Sequence, residues 1–338
     1  MRDRVYPGAV LVIGRRDTIL LARGVGHLTW DPASAAPSPD LTRWDLASLT
    51  KVVATTGVAA RLAERGLLDL DAPVGRYLEC WRGGGRDAVT VRQLLTHRSG
   101  LRPWLPLWRD TPTADSAWAR TCAETPRVTP GDSTIYSDLN FIVLGRVLEA
   151  VGATSLDSLV AREVARPLSL VATSFDGRTL APRNVAPTSR DAGRTMLGEV
   201  HDQNAERLGG VAGHAGLFGT GLDLARVAQA WLGRSPDAGP WIDRETRHRF
   251  TAIPSTGRPL GWDRPEHASR EPSQFGRHTS ATTFGHTGWT GTQLWLDPER
   301  DLFVVLLTNR AYAPAYGDTH RRMREVRARV AEEVRTET

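Results

Sequence analysis

The chain has 338 residues, 40% of them hydrophobic and 24% charged, with a formal net charge of +5, the balance of a folded globular protein and not of a disordered or collagen-like one. Arg, Asp, Gly or Pro interrupts every apolar run well short of the roughly 18 to 20 residues a membrane helix needs, which argues against a single-helix span. The arginines are dispersed among acids, with a modest cluster at Arg321, Arg322, Arg324, Arg327 and Arg329, so the positive excess reads as solvated faces and no nucleic-acid partner is expected.

The apolar run at residues 9–13 meets Gly14, Arg15, Arg16 and Asp17 where a signal peptide would carry a small-residue cleavage site. No signal peptide is read there, and a cytoplasmic protein is the expectation. Residues 8–13 and 18–23 instead form a predicted hairpin about residues 14–17. Cys80 and Cys122 give no disulfide framework, allow one bridge at most, and point to a reducing compartment.

Of the 43 basic residues, 42 are arginine and one, Lys51, is lysine. An amine does what a guanidinium cannot: it loses its proton when desolvated. Lys51 sits in an Ala-rich apolar stretch, residues 45–66, that reads as a buried helix stopped by Gly66. Ser48, three residues earlier, shares its face about one turn away. A neutral Lys51 would take the proton of Ser48, and the positive end of the helix would stabilise the alkoxide. Alone, so short a spacing reads more readily as an N-cap serine followed by a surface lysine, and it needs partners elsewhere in the chain.

Residues 101–108 form a loop rich in Pro and Trp, and Trp104 and Trp108 suit a lid or pocket wall. Residues 129–145 read as a Pro-Gly turn, a short extended piece and an amphipathic helix reaching about Val151. Tyr136 falls at the loop-to-helix junction, where a phenol beside an ammonium can serve as a base or relay. His201 and His214 match no zinc-ligand spacing. Their stretch reads as a loop lining a cleft, and neither metal nor other cofactor is expected. Residues 282–292 form a Gly-rich strand, followed by a hairpin through Asp297 to Asp301 and a terminal helix over 318–336. Glycines 285, 288 and 291 would let a substrate approach the strand edge.

Three motifs in order, Ser48-Leu49-Thr50-Lys51, Tyr136-Ser137-Asp138 and His286-Thr287-Gly288, make the chain resemble the serine hydrolases of the β-lactamase-related superfamily. The branch is that of class C β-lactamases, D-alanyl-D-alanine carboxypeptidases and related esterases. The segments at residues 6–10, 90–101 and 209–218 look like family segments too. The resemblance implies an α+β, β-lactamase/transpeptidase-like fold, a central antiparallel sheet flanked by helices plus a mainly helical region. The expected organisation is one hydrolase domain over 1–338, with an α/β region at 1–65 and 275–338 and a helical region at 66–274.

The resemblance also implies a two-step acyl transfer to a small ester, amide or peptide substrate. Ser48 is the implied nucleophile, aided by Lys51 and Tyr136, with the backbone amides of Ser48 and Trp289 holding the oxyanion. His286, Thr287, Gly288 and Asp138 would face substrate. Asp138 departs from the family amide: an ionised carboxylate only accepts, which disfavours β-lactams and could pair with Lys51, leaving Tyr136 as base. His286 stands where the motif often has lysine, and its charge would vary across neutral pH. Asn140, one turn further on, reads as structural. A cytoplasmic esterase or a hydrolase of recycled cell-wall fragments follows, with weak β-lactamase activity compatible. The alternative is a penicillin-binding-like sensor that is acylated without turnover.

Overall fold

A computed structural model describes residues 5–177, 184–190, 194–234, 239–265, 273–312 and 316–334. Its centre is a five-stranded antiparallel sheet made from both ends of the chain. The strands are β1 (Gly8–Gly14), β2 (Ile19–Gly26), β3 (Phe284–Thr287), β4 (Gln293–Asp297) and β5 (Leu302–Thr308), in spatial order β2-β1-β5-β4-β3. The apolar run near the N-terminus is therefore β1, hydrogen-bonded between β2 and β5. Alternation along the strands sorts side chains to two faces. Val10, Val12, Leu294, Leu296, Phe303, Val305 and Leu307 join the large helical core. Ile13, Trp295, Leu302 and Val304 pack on the other face with Ala331 and Val334.

Five helices place the site: α1 (Thr56–Glu64), α2 (Ala114–Cys122), α3 (Asp138–Gly152), α4 (Gly221–Trp231) and α5 (Tyr316–Val334). On the core face, α4 lies against β1 so closely that a side chain at Gly221 would meet Val10 and Val12 at 2.7 and 3.0 Å. A wider π-helical turn, Lys51–Thr55, leads into α1, and every residue in it is buried. Wide turns of this kind gather at functional sites, because they swing side chains off the regular helical face. The helix stops at Arg65, and Gly66 takes the left-handed φ of +68° that favours glycine.

The one bridge left open by the cysteine count is formed, and one sequence expectation changes. Cys80 and Cys122 are bonded, with Cα atoms 5.8 Å apart, which ties the turn Glu79–Trp81 to the last residue of α2. A count of two cysteines could not reveal that pairing, because it depends on where the chain returns. Arg327 in the C-terminal basic cluster is not on a solvated face; it is 4% exposed on the sheet side of α5.

Candidate active site

The site begins with a strained turn. Trp44 and Asp45 pair with Phe218 and Gly219 in a two-residue ladder, and the next amide, Leu46, donates to Leu217. Ala47 then adopts φ of +47°, a left-handed conformation unfavourable for a residue with a Cβ. The buried Asp45 carboxylate holds it there, accepting from the Ala47 amide at 2.8 Å and from the His201 amide at 2.7 Å. Burial, the largest influence on Asp45, pushes its pKa up to about 6 despite those two donors. The turn delivers Ser48 half-buried at the start of the helix, on the wall of a cleft of about 670 Å³.

Lys51 is fully buried, and its ammonium donates to Ser48 Oγ at 2.9 Å and to the His214 carbonyl at 3.0 Å. The third neighbour is Asp138 Oδ1 at 2.7 Å, from the first residue of α3. Burial alone would strip the proton, as the sequence suggested. The charge of Asp138, reinforced by Tyr136, outweighs it and holds the amine above its ordinary value. Of the two roles the sequence left open for Lys51, neutral base or cation paired with Asp138, the geometry favours the second, with Nζ bonded to Ser48 Oγ and the His214 carbonyl and ion-paired with Asp138.

Tyr136 stands two residues before α3 with its ring centroid 5.2 Å from Lys51 Nζ. His97 stacks on it at 4.5 Å between centroids. The Ser137 amide donates to His97 Nδ1 at 3.1 Å, so the ring proton is on Nε2, and the Asn140 amide group meets the same Nδ1 at 3.2 Å. Ser99 binds the other end of Asn140. Asn140 is therefore part of the support under Tyr136 and does not substitute for an amide at 138.

His286 is buried on β3 beside the cleft and gives its Nδ1 proton to the Thr287 carbonyl at 2.8 Å, which leaves Nε2 as a buried acceptor without a partner among the described residues. Burial, then Lys51 and Arg258, keep its pKa well below the ordinary histidine value. The expected change of charge near neutral pH is therefore absent. A lysine at this position would present a cation; this imidazole presents none.

The Gly-rich edge serves packing more than access. A Cβ at Gly288 would lie 2.6 Å from the Leu46 carbonyl and 3.3 Å from the Ala47 Cβ, so this glycine lets the 288–292 turn press against the nucleophile turn. Thr290 and Thr292 lace the two together by donating to the carbonyls of Asp45 and Leu46 at 2.7 and 3.0 Å. Gly285 and Gly291 make room for Leu294 and Phe275 and for Thr308 and Arg310. The backbone amides of Ser48 and Trp289 have no acceptor among the described residues, whereas the Gly288 amide is taken by the Thr292 carbonyl at 2.8 Å.

Several lining residues carried no sequence signal. Arg258 pairs with Asp263 at 2.7 Å and lies 5.3 Å from the Tyr136 ring centre. Asp202 accepts from the Ala205 amide and meets His214 Nε2 at 3.1 Å. Its burial favours the neutral acid, yet His214 and the Ala205 amide prevail and hold the carboxyl well below the usual range. Trp104, Trp108 and His201 line the cleft, as does Thr287.

A profile of the Beta-lactamase family matches residues 1–328. The chain belongs to that family. Among curated members, N-acetylmuramyl-L-alanine amidase of Bacillus subtilis (strain 168) is 31% identical over 91% of this chain and 78% of its own length. A protein of Salmonella agona (strain SL483), named as a candidate D-alanyl-D-alanine carboxypeptidase, is 30% identical over 92% of this chain and 81% of its own. In fold, a class C beta lactamase from Rhodobacter sphaeroides superposes with a TM-score of 0.74 at 20% identity, covering 96% of this chain and 95% of that one. The fold is the β-lactamase/transpeptidase-like fold that the family motifs imply, with an antiparallel sheet between helices and no closed barrel.

Proposed function

We propose that this member of the hydrolase family cleaves an ester or amide through an acyl-enzyme on Ser48. The observation that carries the reading is one chain of contacts: Ser48 Oγ to Lys51 Nζ at 2.9 Å and Lys51 Nζ to Asp138 Oδ1 at 2.7 Å, beside two open amides. Ser48 Oγ bonds to the substrate carbonyl carbon. Its proton passes to Lys51 as an ammonium proton moves to Asp138. The carbonyl oxygen takes the negative charge between the amides of Ser48 and Trp289. Collapse breaks the bond to the leaving group, which accepts the Tyr136 hydroxyl proton, and the proton held by Asp138 returns through Lys51 to Tyr136. Water then enters by the reverse proton path and releases the acid.

The substrate class follows from the polar groups beside Ser48. The part of the Asp138 carboxylate that faces the cleft only accepts hydrogen bonds, and neutral His286 adds no cation, which suits a substrate with N–H donors near the scissile bond. Both relatives are named for cleaving amides that involve alanine, which supports a peptide or amide substrate. The setting belongs to the proposal as well: the Cys80–Cys122 bridge favours an oxidising compartment over the cytoplasmic one expected from the N-terminal sequence. Turnover of short-chain p-nitrophenyl esters, N-acetylmuramyl-L-alanine, an acyl-D-alanyl-D-alanine peptide and nitrocefin, with wild type beside Ser48→Ala, tests it. Ser48-dependent hydrolysis of an ester or amide, with little nitrocefin cleavage, is expected. Equal rates for wild type and Ser48→Ala on all four would overturn the reading.

A further inference from the structure

The peptide that joins Gly288 to Trp289 is gripped from behind. Its carbonyl accepts Arg327 Nη2 at 2.8 Å and the Gly291 amide at 3.1 Å. In a trans peptide the N–H points opposite to the C=O, so fixing that oxygen fixes the direction of the Trp289 N–H. The same Arg327 nitrogen donates to the Thr292 carbonyl at 2.8 Å, and Nη1 donates to Gln274 Oε1 at 2.6 Å. One guanidinium on α5 therefore staples both ends of the 288–292 turn. Arg310 holds the following carbonyl, Trp289 O, through Nε at 2.9 Å.

The choice of a charged group is costly. Among the described residues no carboxylate meets Arg327, although it is 4% exposed, and a buried cation without a counter-ion is disfavoured. Burial, with Arg310 and Arg324, brings its pKa down to about 9, so the proton is retained at neutral pH against that opposition. A neutral donor could have closed the turn. A cation bonded to the carbonyl also polarises the peptide, and strengthens its N–H as a donor to an oxygen that becomes negative.

We propose that Arg327 is a positioning residue of the oxyanion site, aiming the Trp289 amide into the cleft and strengthening it as charge develops on the substrate oxygen. The inference rests on acyl transfer at Ser48. Its action is confined to the transition state, so it predicts a loss in kcat with substrate binding preserved.

The test compares wild type, Arg327→Met and Arg327→Lys for p-nitrophenyl butyrate turnover and for affinity toward phenylboronic acid, which forms a tetrahedral anion on a reactive serine. Thermal unfolding of each protein serves as the control for folding. Arg327→Met should lose about 10- to 100-fold in kcat, in the range below outright loss of an oxyanion donor, with KM within about threefold. Boronate affinity should fall in parallel, and Arg327→Lys should recover part of both. Should Arg327→Met fail to fold, Arg327→Lys carries the test with intermediate losses. A folded variant that keeps kcat within about threefold of wild type, or loses kcat while boronate affinity stays, overturns the inference alone. A wild type without Ser48-dependent turnover or boronate binding overturns it together with the acyl-transfer reading.

Discussion

Replacing Asp45 by asparagine removes the one buried carboxylate that shapes the nucleophile turn. Burial lifts the Asp45 pKa to about 6 from the ordinary 3.8. A native pKa above the unfolded one means that the folded state binds the extra proton between those values, so stability falls as pH rises through that window. The change is about 3 kcal/mol, from about 1.4 kcal/mol for each pH unit. The asparagine would not titrate, and it would present an NH₂ to one of the two amides now bonded by Asp45, costing about 1 to 3 kcal/mol at every pH. Urea unfolding of both proteins at intervals from pH 4 to 8 isolates the residue, since other groups cancel in the difference. Wild type should be the more stable protein near pH 4, and should lose about 2.5 kcal/mol relative to Asp45→Asn between pH 4 and pH 8, the remainder of the change lying below pH 4. A difference that stays flat to within about 1 kcal/mol across that range would refute the argument.

Lys51→Arg preserves charge but not the ability to pass a proton at neutral pH, and it forces a larger group into a fully buried site; kcat should drop about a thousandfold or more, and an active variant would contradict the proton path. Asp138→Asn removes the charge that holds the Lys51 amine up, so the limb of the kcat/KM profile that reports Lys51 should move to lower pH; an unmoved profile would mean that the 2.7 Å pair does not control the amine. Cys122→Ser opens a bridge between residues 42 apart in sequence and should cost about 4 kcal/mol in urea unfolding, with free-thiol titration of the unreduced wild type reading zero; two reactive thiols would sink this point.

What could be read in the sequence was local or ordered along it. The Ser48–Lys51 pairing follows from helical spacing, and the stop at Gly66 from the left-handed conformation that glycine tolerates. Strands at both ends of the chain follow from alternation and turn residues, and three motifs in order implied both the fold and the convergence of Ser48, Tyr136 and His286 on one cleft. Properties set by distant neighbours were not legible. The neutrality of His286 depends on burial beside Lys51 and Arg258, whereas the pairing of Asp138 with Lys51 was open in the motifs and only its dominance over burial was not. Arg258 and Arg327 were two among 42 arginines with nothing local to set them apart. Asp45 carried no local signal, because its burial and bonding depend on the chain near His201 coming back to cover it.

The central claim is a covalent bond to one oxygen atom. Intact-mass measurement after mixing enzyme with excess p-nitrophenyl ester, quenched in acid within the first turnovers and followed by peptide mapping, detects it directly. The account predicts one acyl group per chain, located on Ser48, absent from Ser48→Ala and decaying as turnover proceeds. An adduct on Ser48 that never decays would replace the hydrolase with an acylated sensor. Turnover with no adduct, or with an adduct elsewhere, would contradict nucleophilic catalysis by Ser48.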